Sequence, residues 1–238
     1  MNMKMMSRVS PWFKRIFFLG SMLLFYGCVH FAPPTPLFTY GGPKTTKHKT
    51  SEAAIAVGTG VALFEGAHSG AHGWFGRYKY GLGEKTDLGI DFMGIIRQDE
   101  GAMALKLAHR YQLANHIRLE TGFGAADDSD GKSLGADLGL TAGTLRNKPW
   151  NFYSTLRVAV AKGYPGDIVF SDGMGSDEDS VAPPDTWFTL LNLGAEGQID
   201  DRQRFIFEVG YGYLFPYNSK RTPAFYFSSG LIFSIGKK

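Results

Sequence analysis

The chain has little of several features that usually reveal what a protein does. It contains one cysteine, Cys28, in 238 residues, so an intrachain disulfide is impossible and cysteine content does not identify a redox compartment. Its formal net charge is only +3. The charges are spread along the sequence, which gives no argument for a nucleic-acid partner. The first apolar run, residues 16–27, is too short to span a bilayer comfortably.

Glycine and aromatic residues are plentiful. There are 31 glycines, and aromatic residues make up 14% of the chain. This combination is typical of many short strands joined by tight turns rather than of helices. The length allows one or two domains.

The first 27 residues have the order of a secretory signal peptide. The segment before residue 16 has no acidic residue and carries four basic ones: Lys4, Arg8, Lys14 and Arg15. The uncharged apolar run 16–27 follows. A basic start followed by such a run predicts that residues 1–27 are a signal peptide.

Residues 24–28, LFYGC, resemble a bacterial lipobox, in which a small residue precedes a cysteine that is lipidated and becomes the new N-terminus. Gly27 and Cys28 carry the resemblance, which implies a covalent lipid on Cys28. Under the sorting rule of such lipoproteins, Val29 is compatible with the outer membrane. Because Phe25 and Tyr26 differ from the usual residues, ordinary signal-peptidase cleavage and an uncleaved anchor remain alternatives.

Residues 29–50 lack any hydrophobic period and hold four of the eleven prolines. We therefore expect residues 28–51 to form a Pro-rich periplasmic tether. The remaining residues, 52–238, are expected to form one domain.

From residue 52 onward the sequence alternates with a period of two, which predicts strands. In residues 204–215, RFIFEVGYGYLF, the large side chains of Phe205 and Val209 share one face, whereas Glu208 and Gly210 share the other. Ten such strands are predicted, at 53–64, 74–82, 87–97, 103–113, 117–125, 133–145, 151–161, 187–199, 204–215 and 224–235.

The polar faces of these strands are rich in Gly and Ala and carry isolated charges of both signs. Such faces suit a narrow interior in which side chains must fit and ions must pair. An apolar outer band around a polar interior is the pattern of a transmembrane β-barrel. The predicted fold is therefore all-β, an antiparallel up-and-down β-barrel of ten strands, with eight strands as the alternative.

The predicted connections alternate in length. Short turns are expected at 83–86, 114–116, 147–150 and 200–203, and a second, mostly longer set at 65–73, 98–102, 126–132, 162–186 and 216–223. Short periplasmic turns opposite longer outer loops are typical of outer-membrane barrels. With an even number of strands, both termini are expected in the periplasm.

Residues 228–235, SSGLIFSI, resemble the C-terminal assembly signal of outer-membrane barrels. Ser228, Gly230, Phe233 and Ile235 occupy its polar, glycine, aromatic and final apolar positions. The resemblance implies that the barrel-assembly machinery is a partner during biogenesis, and it favours the outer membrane of a Gram-negative envelope, where the barrel would contact lipid.

Inward positions of the predicted strands hold seven cations and five anions: Arg77, Lys79, Asp91, Arg97, Lys106, Arg110, Arg118, Glu120, Asp137, Arg157, Glu196 and Glu208. We predict that this lumen charge network forms salt bridges that fill the barrel. For Glu208 we expect a cationic partner from across the lumen. The alternative is a small pore with a weak preference for anions.

Other polar motifs do not reach the pattern of a catalytic or metal site. The expected loop 65–73 contains His68, Ser69 and His72, the basis of an alternative outer-rim hydrolase. Omptin-type outer-membrane proteases are also ten-stranded, but their paired acidic motif has no match here. Residues 126–137 fail the calcium-loop pattern, because Ala126 takes the first ligand position. We expect the acidic loop 162–186 to be solvated.

These observations predict a non-catalytic outer-membrane β-barrel lipoprotein with no cofactor beyond the lipid on Cys28. The expected role is that of a structural or accessory subunit docked in a larger envelope protein complex.

Overall fold

The computed structural model describes residues 41–64, 67–96, 101–128, 131–144, 150–165, 185–216 and 221–236. The signal peptide, Cys28, Arg97 and the acidic residues 172–179 lie outside these ranges. For His68 and Ser69 only the backbone is described. In the described part of the chain, no helix is long and apolar enough to cross a membrane.

Ten antiparallel strands form one closed barrel, which confirms the predicted fold class and the higher of the two strand counts. Each strand pairs with its neighbour in sequence, and the first pairs with the last. The strands are β1 Ser51–Phe64, β2 Ala67–Gly81, β3 Thr86–Ile96, β4 Gly101–Ala114, β5 Ile117–Asp128, β6 Gly131–Gly143, β7 Trp150–Pro165, β8 Thr186–Gln198, β9 Gln203–Pro216 and β10 Thr222–Ile235.

The prediction of a loop at 65–73 was wrong. Residues 67–73 belong to β2 and pair with residues 58–64 of β1. Likewise β5 extends further than predicted, to Asp128, and β6 begins two residues earlier, at Gly131, so only residues 129–130 separate them. Small polar residues suggested loops, but cross-strand pairing extends these hairpins. The connection between β7 and β8 remains long, so we call its end of the barrel the loop end and the opposite end the turn end.

The alternation of side chains follows the predicted register. Val57 on the outer face is 58% exposed, whereas Glu208 on the inner face is fully buried. Following the pairing once around the ring from Ser51 returns to β1 at Leu63, a shear of twelve residues. Shear and strand number together set the width of a barrel, and a barrel this small is filled by its own side chains.

The interior has two chemically different halves. Toward the loop end, apolar side chains such as Met93, Leu190 and Tyr226 pack with inward alanines. Toward the turn end, the buried side chains are mainly charged. The apolar half is a conventional packed core, so the chemistry of the interior is concentrated in the charged half.

Glycines let aromatic rings lie flat across neighbouring strands. A Cβ on Gly194 would meet the Tyr153 ring inside the barrel, and a Cβ on Gly76 would meet the Phe92 ring outside it. Such cross-strand pairs of an aromatic residue with a glycine help to fix strand register.

Residues 41–46 enter the barrel from the turn end, which corrects the prediction of a tether reaching to residue 51. Five of these six residues are buried, and Lys44 is half-buried. Residues 48–50 then continue along Gly81 of β2, through backbone hydrogen bonds from Lys49 to Gly81 and from Gly81 to Thr50. The absence of a hydrophobic period in residues 29–50 indicated irregular backbone, but it did not indicate that residues 41–46 lie inside the barrel. We call residues 41–46 the plug.

Candidate functional site

Fourteen charged side chains are buried in the described part of the barrel, and their signs balance. Seven are cations and seven are anions: Glu52, Arg77, Lys79, Asp87, Asp91, Lys106, Arg110, Arg118, Glu120, Asp137, Arg157, Glu196, Arg204 and Glu208. The expected cationic excess is therefore not seen among these residues; Arg97 lies outside them. A balanced interior does not favour ions of either sign.

Eight of these side chains form one connected group, which we call the central ion cluster: Arg77, Asp87, Asp91, Lys106, Arg110, Glu120, Asp137 and Arg157. It runs across β2 to β7. The strand register explains much of this arrangement, because Arg77 lies directly opposite Asp91 and Arg110 directly opposite Glu120. Cross-strand neighbours of opposite charge stabilise a sheet.

One side of the cluster is centred on Asp91. Arg77 donates two hydrogen bonds to it, with Nε–Oδ1 of 2.6 Å and Nη2–Oδ2 of 2.5 Å. Arg110 Nη2 lies 3.1 Å from both carboxylate oxygens. Arg110 also donates through Nε to Glu120 at 2.7 Å. Arg110 therefore connects the two carboxylates.

The other side is centred on Glu120 and Asp137. Lys106 Nζ lies 2.7 Å from Glu120 Oε1 and 2.9 Å from Asp137 Oδ2. Arg157 binds the same two carboxylates, at 2.8 Å and 2.5 Å. Removing charges from water is costly unless they are paired and hydrogen-bonded. Mutual pairing satisfies that condition here, and it fills the middle of the barrel.

A smaller group lies at the turn end. Glu52 binds Lys79 at 2.7 Å and Arg204 at 2.6 Å, and Arg204 also contacts Glu196. Sequence reasoning missed Glu52, Asp87 and Arg204. The signal was nevertheless present. Asp87 lies four residues before Asp91, and Arg204 lies four residues before Glu208, so each falls on the same inward face of its strand.

Glu208 accepts hydrogen bonds from two neutral side chains. Asn192 Nδ2 donates to it at 2.7 Å, and the Tyr153 hydroxyl donates at 3.5 Å. Asn192 in turn accepts a hydrogen bond from the Tyr226 hydroxyl. Sequence reasoning did not identify these neutral donors, of which Asn192 comes from the adjacent strand β8.

Arg118 binds the plug. Its Nη1 donates to the carbonyl of Gly42 at 2.7 Å, and its Nη2 to that of Gly41 at 3.3 Å. Its Nη2 lies 3.9 Å from Glu120 Oε2, a longer distance than to either carbonyl. This arginine thus acts mainly on backbone carbonyls, a role that a charge count does not predict.

Three further hydrogen bonds hold the plug. The Gly42 N–H donates to Glu196 at 3.3 Å, the Gly41 N–H to the Tyr153 hydroxyl at 3.3 Å, and the Thr46 N–H to Asp87 at 2.7 Å. Together with Arg118, these partners come from four strands, β3, β5, β7 and β8. The barrel wall therefore forms a peptide-binding site that its own N-terminal segment occupies.

The proposed assembly signal lies in β10 at the seam of the ring. Ser228 is buried, and a Cβ on Gly230 would meet the backbone of Ile55 on β1. Ile235 is exposed on the outside. A small residue at 230 is thus required by the closure between β10 and β1.

The described residues show no cluster of three or more His, Cys, Asp or Glu side chains arranged as metal ligands. The expected rim loop containing His68, Ser69 and His72 is part of β2 instead. The structure therefore does not assemble the flexible loop on which the rim-hydrolase alternative was based.

No protein-family model matches the chain, and no curated protein matches it. Similar solved structures include Neisserial surface protein A, with 12% identity, a TM-score of 0.39, and coverage of 77% of this chain and 96% of that one. The Escherichia coli outer-membrane protease OmpT has 10% identity, a TM-score of 0.47, and coverage of 78% and 97%. An outer-membrane channel from Pseudomonas putida F1 has 9% identity, a TM-score of 0.47, and coverage of 83% and 100%. At these identities and TM-scores the likeness does not extend to function.

Proposed function

We propose that this protein is a closed, non-catalytic barrel of the bacterial outer membrane that serves as a structural or accessory subunit of a larger envelope complex. The observation that carries the proposal is the combination of an apolar outer surface with an interior filled by paired ions. A bilayer would cover the apolar outer surface. The paired ions leave no open path through the middle of the described barrel.

The outer surface supports a membrane location. More than thirty large apolar or aromatic side chains are exposed, most of them on the outside of the ring. Soluble monomers rarely expose contiguous apolar patches of more than a few hundred Å². Aromatic residues lie toward both ends of this surface, as Tyr111 and Trp150 toward the turn end and Tyr164 and Trp187 toward the loop end. Aromatic girdles at both interfaces are typical of outer-membrane barrels.

The interior supports a structural role rather than conduction. Arg77, Asp91 and Glu120 are at most 2% exposed, so the central ion cluster excludes water from its own charges. At the turn end, the plug adds a second obstruction. The equal numbers of buried cations and anions also give no basis for anion selectivity.

The plug also fits the proposed anchor at Cys28. Gly41 follows Cys28 by thirteen positions, which an extended chain spans over at most about 45 Å. A lipid on Cys28 can therefore reach the leaflet beside the turn end while the plug remains docked. We propose that both termini lie in the periplasm, on the same side of the membrane as the lipid.

Planar-bilayer recording of the purified full-length protein tests the closed barrel. We expect no stepwise conductance from a preparation that fractionates with outer membrane and migrates faster before boiling than after it. Stable, anion-selective steps would instead establish the pore alternative. Recovery of the protein in the soluble periplasm would refute the membrane location itself.

The accessory role is tested separately by affinity purification from native membranes after mild crosslinking. We expect a second protein in a fixed ratio to the barrel, and we expect it to be absent when an unrelated outer-membrane barrel is used as bait. Recovery of the barrel alone at native expression would exclude the subunit role.

A further inference from the structure

The barrel wall recognises the plug through its backbone. The five hydrogen bonds that the structure describes between them all end on backbone N–H or carbonyl groups, which belong to Gly41, Gly42 and Thr46. None of the five involves a side chain of residues 41–46. Because the wall binds backbone groups, the side chains of this particular segment are not needed for binding, and the same site can accept another peptide.

Two features limit which peptides fit the site. Gly41 has a φ of +123°, a conformation that residues with a Cβ rarely adopt. Pro43 packs against the end of β6, where a Cβ on Gly143 would lie 3.1 Å from its Cδ. Proline also fixes its own φ, so less conformational freedom is lost on binding. The site therefore selects a segment with glycine two positions before proline.

The plug is an imperfect occupant of this site. The hydroxyl oxygens of Thr45 and Thr46 are buried without a hydrogen bond, and so is Nε of Arg118. A buried polar atom without a hydrogen bond opposes docking, because it was bonded to water before. The plug sequence, GGPKTT, also has no large apolar side chain to bury. Segments with few buried apolar contacts open at a low free energy, so the plug can leave while the strands stay paired.

Unfilled space remains beside the plug at the turn end. A cavity of about 400 Å³ has Lys44 and Thr45 on one side and Arg204 and Ser234 of the wall on another. Four cations and three carboxylates line it, so its charge does not select a ligand. A peptide with a side chain larger than that of Thr45 at this position would fill part of the cavity and bury more surface than the plug does.

We propose that the plug site is an exchangeable docking site, at which a segment of a partner protein with glycine two positions before proline replaces residues 41–46. The inference rests on the proposed accessory role and names the surface that the complex uses. In that role the turn end faces the periplasm, so a periplasmic segment reaches it. The attached plug competes at an effective concentration of about 1 mM. A partner held by further contacts overcomes this competition.

Fluorescence anisotropy tests the site with a labelled peptide of residues 41–47, GGPKTTK, titrated with the full-length barrel in micelles. The peptide is acetylated, so that the Gly41 N–H remains an amide donor. In Gly41→Val the attached plug cannot adopt the φ of Gly41, and the site is open. We expect the peptide to bind Gly41→Val with about tenfold lower Kd than the unmodified barrel, which corresponds to a plug docked about 90% of the time.

Further variants place the bound peptide in the plug site. G41V/R118M should bind it about tenfold more weakly than Gly41→Val, because two hydrogen bonds to carbonyls are lost. A peptide that carries the Gly41→Val change should not bind. G41V/K85Q is the matched control, altered at an exposed turn, and should bind as Gly41→Val does. Amide hydrogen exchange at residues 42–46 should be faster in Gly41→Val than in the unmodified barrel.

The exchangeable site would be overturned if Gly41→Val bound no peptide, if it bound no more tightly than the unmodified barrel, or if loss of Arg118 left the Kd unchanged. Unchanged exchange at residues 42–46 in Gly41→Val would overturn it as well, because the wall would then not select glycine. A barrel that purifies with a partner but binds no peptide refutes only this inference. A barrel recovered alone at native expression refutes the accessory role.

Discussion

Arg77 and Asp91 face each other directly across β2 and β3, and both side chains are completely removed from solvent. Their two parallel hydrogen bonds give the guanidinium and the carboxylate a fixed relative orientation. Arg110 approaches the same carboxylate from β4, so Asp91 holds two arginines together. Asp91 therefore compensates the charge of two buried arginines.

Asp91→Asn should destabilise the barrel, because it leaves Arg77 and Arg110 without their shared carboxylate. Breaking a buried ion pair costs about 3–5 kcal/mol, and the loss should appear in urea unfolding of the barrel in vesicles. Glu84→Gln, in an exposed turn, is the control and should stay within about 0.5 kcal/mol. Equal stability of the two variants would mean that the cluster does not support the fold.

Arg118→Met should release the plug while leaving the strands paired. The side chain donates to the carbonyls of Gly41 and Gly42, and methionine keeps most of the volume but offers no donor. We expect faster amide hydrogen exchange at residues 41–46 and little change in β5. Arg202→Gln, at an exposed turn, should leave the exchange unchanged. Unaltered protection of the plug in Arg118→Met would show that other contacts suffice.

Glu208→Leu should cost about 1–3 kcal/mol, because Asn192 and Tyr153 would keep buried donors without their acceptor. Val209→Leu, one residue further on the outer face, should be nearly silent. Urea unfolding of both variants measures the difference. A larger loss in Val209→Leu than in Glu208→Leu would contradict the register of β9.

Gly194→Ala should destabilise the barrel, because the new methyl group would overlap the Tyr153 ring. Overpacking of this kind costs about 1–3 kcal/mol. Gly139→Ala is the matched control, since a Cβ there would meet its nearest neighbour, Arg157, at an ordinary 3.6 Å. Equal melting behaviour of the two variants would show that Tyr153 can move aside freely.

Cys28→Ser should abolish incorporation of labelled fatty acid, because no other cysteine exists to accept the lipid. The barrel should still insert, since its outer surface does not depend on the anchor. Labelling of membranes that express either form measures the effect. Equal labelling would remove Cys28 as the attachment site.

The sequence predicted the strands well because burial on one face imposes a period of two along each strand, as in 204–215. A shift of one residue would have exchanged the faces of Glu208 and Val209. The hairpin at β1 and β2 was mispredicted because its residues are small and polar, and only pairing with the other strand identifies them as strand.

The plug could not be predicted, because its burial depends on partners that are distant in sequence. Gly42 is held by Arg118 and Glu196, which lie 76 and 154 positions away. No local pattern signals such contacts. Glu52 and Arg204 were missed for a simpler reason. Glu52 immediately precedes the first predicted strand and Arg204 is the first residue of the ninth, so neither has strand neighbours on both sides to establish the alternation.

The plug precedes the strands in sequence, but it can dock only after the strands have paired. Residues 41–46 precede every strand, but their partners belong to β3, β5, β7 and β8. That binding site exists only after most of the sheet has formed. The plug is synthesised before the strands that bind it. It therefore docks late in folding, after β3, β5, β7 and β8 have come together.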